Sequence, residues 1–252
     1  MSDIALQLED VSLTKNGMTL FKELSFSLEI GQGALLLADP QLRARQLLRV
    51  CAALERPTDG RIHWFGRPGG NLTQAQVLDL RRRIGWVHRG SRLVSNMSLI
   101  DNMTLGLVYH RNLSYPQAEE LVEDLLERFG LYDCRFRRPA EIDHTAQRRA
   151  VYVRELAKRP RLLLFEDPSW DLDQDFEVLM NEVKSLTKHH ETAYLLSDVT
   201  AQDMVGWVDL VLVINDRGGR IWPSDAFDPA THSRFPWRMS CHEPSDGSEV
   251  DG

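Results

Sequence analysis

Apolar and polar residues alternate near the start of the chain, and short continuous apolar runs follow later. The alternation in Ile4–Leu8 and in Leu24–Leu28 predicts two half-buried strands, with a strong turn signal at Asn16-Gly17 between them. A further strand is predicted at 61–65, after the turn at 57–60. Four continuous apolar runs predict strands that are buried on both faces, as in a parallel sheet: residues 35–37, 162–165, 194–196 and 210–214.

Helical periodicity separates these runs. Apolar residues recur at helical spacing from Pro116 to Phe129 and from Phe176 to Val183, and residues 151–156 continue a third helical pattern. Strands that alternate with helices imply an α/β fold in which a parallel sheet is built with right-handed crossovers. We therefore predict a parallel-sheet core, an N-terminal antiparallel β subdomain and an inserted α-helical subdomain.

Composition narrows the class of protein further. The 252 residues suffice for one α/β domain with a small inserted subdomain, and 42% of them are hydrophobic. No apolar run approaches the roughly 20 residues that span a bilayer, and the first residues lack the pattern of a signal peptide. A net charge of −7 gives no support for nucleic-acid binding. The three cysteines are dispersed along the chain, and they predict no metal site. The adjacent His189 and His190 are interpreted as part of a polar turn, and they predict none either.

The segment 35–48 has the pattern of a buried strand, a short loop and the start of a helix. This is the context of a phosphate-binding loop, G-x-x-x-x-G-K-[ST], whose glycines, lysine and hydroxyl hold phosphates and Mg²⁺. Alignment on the helix places Ala38 and Arg43 at the two glycines, Ala44 at the lysine and Arg45 at the hydroxyl. We interpret the two arginines as solvated side chains on a turn. Anion binding by this arginine pair is the alternative.

A second buried strand, at 161–165, ends in Glu166 and Asp167, followed by Pro168. Carboxylates at this place hold the metal and orient the attacking water in phosphoryl-transfer enzymes. Between the two motifs, a helix begins around residues 147–150. The order and spacing of these elements resemble an ABC transporter ATP-binding subunit from about Ile4 to Phe227. The resemblance implies a P-loop (RecA-like) fold, a second cassette as dimer partner, a membrane permease, and ATP with Mg²⁺.

At the positions whose side chains contact ATP or Mg²⁺ in that family, this chain carries other residue types. The two carboxylates stand in reversed order, with Glu166 before Asp167; Arg89 replaces the glutamine that senses the γ-phosphate, and Asp198 replaces the switch histidine. The remaining motif positions differ as well: Lys15 stands at the adenine-stacking aromatic, and Asp143, His144, Thr145 and Ala146 stand in the signature segment. Each lost donor or clamp typically costs 10²–10³ in rate. We expect no catalytic residue to be functional, and no bound ATP, Mg²⁺ or other metal.

Surface-forming segments keep more of the family pattern. Residues 93–105 resemble the segment that receives a permease, which predicts an interface built from Leu93, Met97, Leu99, Ile100 and Asn102. A short helix packed on the core is the alternative for this segment. Asp173 matches an aspartate that bridges the two cassettes of a dimer. Short stretches at 81–85, 90–91 and 97–102 resemble the ATPases of Mla/Mce-type phospholipid transporters most closely.

We therefore predict a catalytically silent ABC-type subunit, with residues 1–228 as the ATPase-like domain and a helical subdomain at about 90–157. Residues 229–252 are predicted to be an acidic, mobile tail. The subunit would lie at the cytoplasmic face of the membrane, paired with itself or with an active paralogue, as a scaffold or regulator on a permease. Two alternatives stay open: a weak ATPase that uses Glu166 and Asp167, and a freestanding regulatory protein that would not co-purify with membranes.

Overall fold

The computed structural model describes residues 3–38, 41–172, 175–197, 204–215 and 218–229. Ten strands occupy Ile4–Lys15 (β1), Met18–Glu29 (β2), Gly33–Ala38 (β3), Asp59–Trp64 (β4), Arg67–Pro68 (β5), Ile84–Val87 (β6), Leu162–Glu166 (β7), Ala193–Ser197 (β8), Leu210–Asn215 (β9) and Gly218–Pro223 (β10) within these residues. Seven α-helices occupy Gln41–Cys51 (α1), Gln74–Arg82 (α2), Leu99–Arg111 (α3), Tyr115–Arg128 (α4), His144–Ala157 (α5), Pro168–Leu172 (α6) and Phe176–His190 (α7) of the same described part.

The central sheet has six strands in the order β10-β9-β3-β8-β7-β6, and only β10 is antiparallel to its neighbour. Its inner strands bury both faces because alternate residues face different layers. In β3, Leu35 and Leu37 pack in one core cluster, whereas Ala34 and Leu36 pack in the other. This two-sided burial explains why the sequence shows continuous apolar runs here rather than alternation.

The second sheet is antiparallel, in the order β2-β1-β4-β5. Strands β1 and β2 form a long hairpin around Asn16 and Gly17, both of which have positive φ, as tight hairpin turns require. Its inner face packs with α1 against the central sheet. The predicted antiparallel subdomain is thereby confirmed.

Helices α3, α4 and α5 form the inserted helical part and pack on the other face of the central sheet. Helix α3 begins at a capping box, in which Ser98 accepts from the backbone N–H of Asp101 while the Asp101 carboxylate accepts from the backbone N–H of Ser98. Helix α4 carries the predicted 116–129 stripe, with Ala118, Val122 and Leu126 fully buried. The α/β class and its three predicted parts are confirmed.

Some predictions need correction or lie outside the described residues. His189 and His190 are the last residues of helix α7 and do not form a polar turn, because the helix that begins at Phe176 continues beyond its apolar stripe. Asp173 and Asp198 lie outside the described residues, as does the predicted tail beyond Pro229. Within the described part of the chain, none of the helices has the length and hydropathy needed to cross a membrane.

Candidate functional site

The carboxyl ends of neighbouring parallel strands bring the predicted site residues together. Strand β7 ends at Glu166 and is followed by Asp167, while β6 leads directly into residues 88–92. Helix α1 begins just after β3 and carries Arg43 and Arg45 in its first two turns. This edge of a doubly wound sheet is where such folds place their ligands.

Arg45 forms an ion pair with the first carboxylate of the acidic strand. Its Nε donates to Oε1 of Glu166 at 2.5 Å. The Glu166 side chain is only 6% exposed, whereas that of Arg45 is 45% exposed. A guanidinium therefore lies against the buried carboxylate from the helix position at which the family carries its metal-binding hydroxyl.

Arg89 forms a second ion pair with the second carboxylate. Its Nε and Nη2 lie 2.9 and 2.8 Å from Oδ2 of Asp167, whose side chain is 5% exposed. The Gln41 amide also donates to Oδ1 of Asp167 at 3.3 Å. Asp167 has a φ of 49°, in the left-handed region that aspartate tolerates better than most residues. Each of the two carboxylates that follow or end β7 thus faces an arginine.

The interpretation of Arg43 and Arg45 as two solvated arginines on a turn needs correction, because they lie on a helix and have protein partners, although Arg45 is exposed. Both belong to helix α1, and the Nε of Arg43 donates to the backbone carbonyl of Leu20 in β2 at 2.6 Å. Arg45 is engaged with Glu166, as described above. The two side chains diverge because one turns toward the antiparallel sheet and the other toward the acidic strand. The two guanidinium groups therefore bind different partners.

Several positions that hold Mg²⁺·ATP in the family carry other side chains in this chain. A metal ion beside Glu166 would need to displace the guanidinium of Arg45, which already balances the carboxylate charge. At the lysine position, Ala44 has a buried methyl group that packs in the core and offers no charge to a phosphate. Ala38 carries a Cβ where the family has a glycine. Two arginines of the chain itself thus lie against the two carboxylates.

The predicted signature segment caps helix α5. Oδ1 of Asp143 accepts from the backbone N–H of Ala146 at 2.8 Å, so the positive end of the helix is met by the chain's own carboxylate. His144 and Thr145 are exposed on the first turn. A phosphate arriving at this helix end would therefore meet a negative charge.

Lys15, which stands where the family has its adenine-stacking aromatic residue, takes part in an ion pair. Nζ of Lys15 lies 3.0 Å from Oε2 of Glu55, and Nε of Arg49 lies 3.4 Å from the same atom. The hydrogen bond from Lys15 is the main reason why the pKa of Glu55 falls below its ordinary value. No aromatic ring stands at position 15 to stack on adenine.

The predicted docking residues divide into two groups. Leu99, Ile100 and Asn102 are buried, so their side chains cannot themselves contact a partner. The side chain of Asn102 binds the backbone N–H and carbonyl of Val94, which shapes the loop before the helix. Leu93 and Met97 are partly exposed. The burial of these three residues is what the alternative, a short helix packed on the core, predicts.

Sequence reasoning missed several residues that bind the loop 88–92. Arg148 is buried and donates to the carbonyl of Ser91, and Arg154 donates to the carbonyl of Arg92. His88 stacks on Trp86 with ring centroids 4.4 Å apart, and burial is the largest cause that lowers the pKa of His88.

Comparison with known proteins identifies the class. A family model described as "ABC transporter" matches residues 46–169. A probable amino-acid ABC transporter ATP-binding protein, y4tH of Sinorhizobium fredii, is 28% identical over 78% of this chain and 80% of its own length. The lipoprotein-releasing system ATP-binding protein LolD of Koribacter versatilis is 28% identical over 71% of this chain and 81% of its own length.

Solved structures agree on the fold. The dimeric ABC cassette MJ0796, in a post-hydrolysis state with ADP and Pi, superposes with a TM-score of 0.79 at 19% identity, covering 88% of this chain and all of the other. CbiO1 from Clostridium perfringens gives 0.77 at 18% identity over 88% and 90% of the two chains. The chain has the cassette fold, and its sequence is similar to those of ABC transporter ATP-binding proteins.

Proposed function

We propose that this chain is a nucleotide-silent ABC subunit that acts as a scaffold or regulator on a membrane permease. The observation that carries the proposal is the pair of ion pairs Arg45–Glu166 and Arg89–Asp167 at the carboxyl edge of the sheet. Both carboxylates that would serve Mg²⁺ and water are matched by guanidinium groups, which stay protonated at any physiological pH. The site is therefore neutralised without a nucleotide.

The residues that differ from the family motifs also support a site that does not bind nucleotide. Ala44 supplies no charge for phosphate, Asp143 places a carboxylate at the signature helix, and Lys15 replaces the adenine platform. These defects affect binding of the base, binding of the triphosphate and closure of a dimer. If an active paralogue paired with this chain, its nucleotide site would lack a complete signature segment. This favours a scaffold over a dimer in which both sites hydrolyse ATP.

The permease and the second cassette are proposed from the relatives. Those relatives are named as ATP-binding proteins of transport systems, with lipoprotein release, phosphonate import and methionine import among their names. Because these names differ in cargo, they support a transporter subunit at the cytoplasmic face of a membrane rather than a particular substrate. Lipid transport remains a proposal based on the short Mla/Mce-like stretches. The docking surface would include the exposed parts of the 93–98 loop before α3.

Phosphate release from ATP tests the silence of the site. We expect the purified chain to release phosphate no faster than its Asp167→Asn variant at millimolar ATP and Mg²⁺, because neither carboxylate is available to the metal. An active cassette, measured in parallel, shows that the assay detects turnover. Mg²⁺-dependent turnover that Asp167→Asn abolishes would overturn the proposal in favour of a weak ATPase.

A further inference from the structure

The loop that joins β6 to α3 is tied by arginines to two separate elements. On the sheet side, Arg89 of the loop pairs with Asp167, which follows β7. On the helix side, Nη1 of Arg148 donates to the carbonyl of Ser91 at 2.9 Å, and Nη1 of Arg154 donates to the carbonyl of Arg92 at 2.8 Å. Both of these arginines belong to α5. Residues 88–92 therefore connect the central sheet with the helical part through side-chain contacts as well as through the backbone.

The anchoring arginines are themselves held in place. Arg148 is buried, with 4% of its surface exposed. The Nε of Arg154 lies 3.2 Å from the buried carboxylate of Glu155, which also accepts from Lys158 at 2.6 Å. Side chains that are already ordered lose little further entropy when they bind the loop. The buried contact of Arg148 constrains the loop more strongly than an exposed surface ion pair does.

The constraint extends from the loop into helix α3. Within the loop, the backbone N–H of His88 donates to Oγ of Ser91, and the backbone N–H of Ser91 donates to the carbonyl of His88. Further along, the buried Asn102 of α3 holds both backbone groups of Val94. The path from the end of β6 to the first turn of α3 is thus pinned at successive points.

We propose that Arg89, Arg148 and Arg154 form a nucleotide-independent clamp that holds α3 in one orientation relative to the central sheet. The clamp needs no ligand, because both ends of each contact belong to this chain. Its consequence for assembly rests on the proposed function. The permease-docking surface before α3 keeps one orientation, and ATP does not change it. The clamp itself stands on the geometry alone.

Hydrogen exchange on the full chain tests the clamp. The variant Arg89→Ala with Asp167→Asn removes the ion pair without leaving a buried carboxylate that lacks its cation. We expect backbone amides of residues 88–98 to exchange at least about ten-fold faster in this variant, since local opening no longer breaks the pair. The matched control Asp79→Asn with Arg83→Ala removes an exposed ion pair on α2 and should leave 88–98 unchanged. Unchanged exchange in the clamp variant would overturn the proposal.

A second variant keeps the test decisive if the first one fails to fold. Arg154→Ala removes the tie to Arg92 while Glu155 retains Lys158, and we expect faster exchange at residues 91–98. Equal rates in this variant and in the wild type would overturn the clamp. Failure of the proposed function has a different signature, which is slower exchange at residues 41–48 of wild-type α1 when ATP and Mg²⁺ are added.

Discussion

Replacing Arg45 by serine is expected to lower the free energy of unfolding by about 2–3 kcal/mol, although serine is the residue type that suits this position in the family. The substitution leaves the buried Glu166 carboxylate without its guanidinium partner. Breaking a fully buried pair typically costs 3–5 kcal/mol, and the exposure of Arg45 reduces this figure. For a domain of this size, the midpoint of thermal unfolding should fall by about 4–12 °C.

Two further variants separate the lost ion pair from other effects of the change. Arg45→Ser combined with Glu166→Gln should recover most of the stability, because the buried negative charge is removed together with its partner. Arg61→Ser breaks a pair with the exposed Glu9 and should cost no more than about 0.5 kcal/mol. A double variant no more stable than Arg45→Ser alone would contradict this explanation.

Restoring the phosphate loop is expected to create nucleotide binding where the wild type has none. The variant Ala38→Gly, Arg43→Gly, Ala44→Lys and Arg45→Ser returns both glycines, the lysine and the hydroxyl, and it opens Glu166 to Mg²⁺. At ATP concentrations about 100 times its Kd, binding adds about 2.7 kcal/mol of stability. The midpoint should then rise by about 5–11 °C when ATP and Mg²⁺ are present.

The matched control for this variant retains Arg45 and carries only the other three substitutions. We expect no Mg²⁺-dependent shift in the control, because the guanidinium still lies where the metal would bind. If neither variant responds to nucleotide, the silence arises from the signature segment or the base platform rather than from the arginines. If both respond equally, the Arg45–Glu166 pair has no role in excluding Mg²⁺.

The fold was predictable because its signals are local and repeated. The apolar runs at 35–37 and 210–214 mark strands buried on both faces, and the hairpin turn is encoded by Asn16-Gly17. The extent of β1 and β2 was underestimated, since both continue to the turn through segments with weaker alternation. The order of the strands within the central sheet was not predicted, because it depends on pairing between segments far apart in the chain.

The site was predictable in place but not in its contacts. The sequence shows two carboxylates and arginines at the matching motif positions, and two charges of each sign could have suggested pairing. Which arginine reaches which carboxylate depends on long, flexible side chains and on the angle of α1 to the sheet, and neither is written in residue spacing. Arg43 shows this, since it turns to the carbonyl of Leu20 instead.

The helical spacing of apolar residues predicts that the expected docking residues are buried. The family resemblance led to the opposite prediction, that they form an interface. Leu99, Ile100, Met103 and Leu107 recur at helical spacing, which predicts one stripe facing the core. Asn102 lies on the same stripe and is buried with it. Resemblance to a segment known to bind partners does not tell which side chains reach the surface; periodicity does.

Thermal unfolding of the wild-type chain with and without millimolar ATP and Mg²⁺ tests the central claim most directly. The claim is that Arg45 and Arg89 replace the cations of a nucleotide site, and it predicts no change in the midpoint. A Mg²⁺-dependent rise of about 5–11 °C, the shift expected for a ligand at about 100 times its Kd, would contradict it. That result would mean that the two ion pairs open to admit the nucleotide.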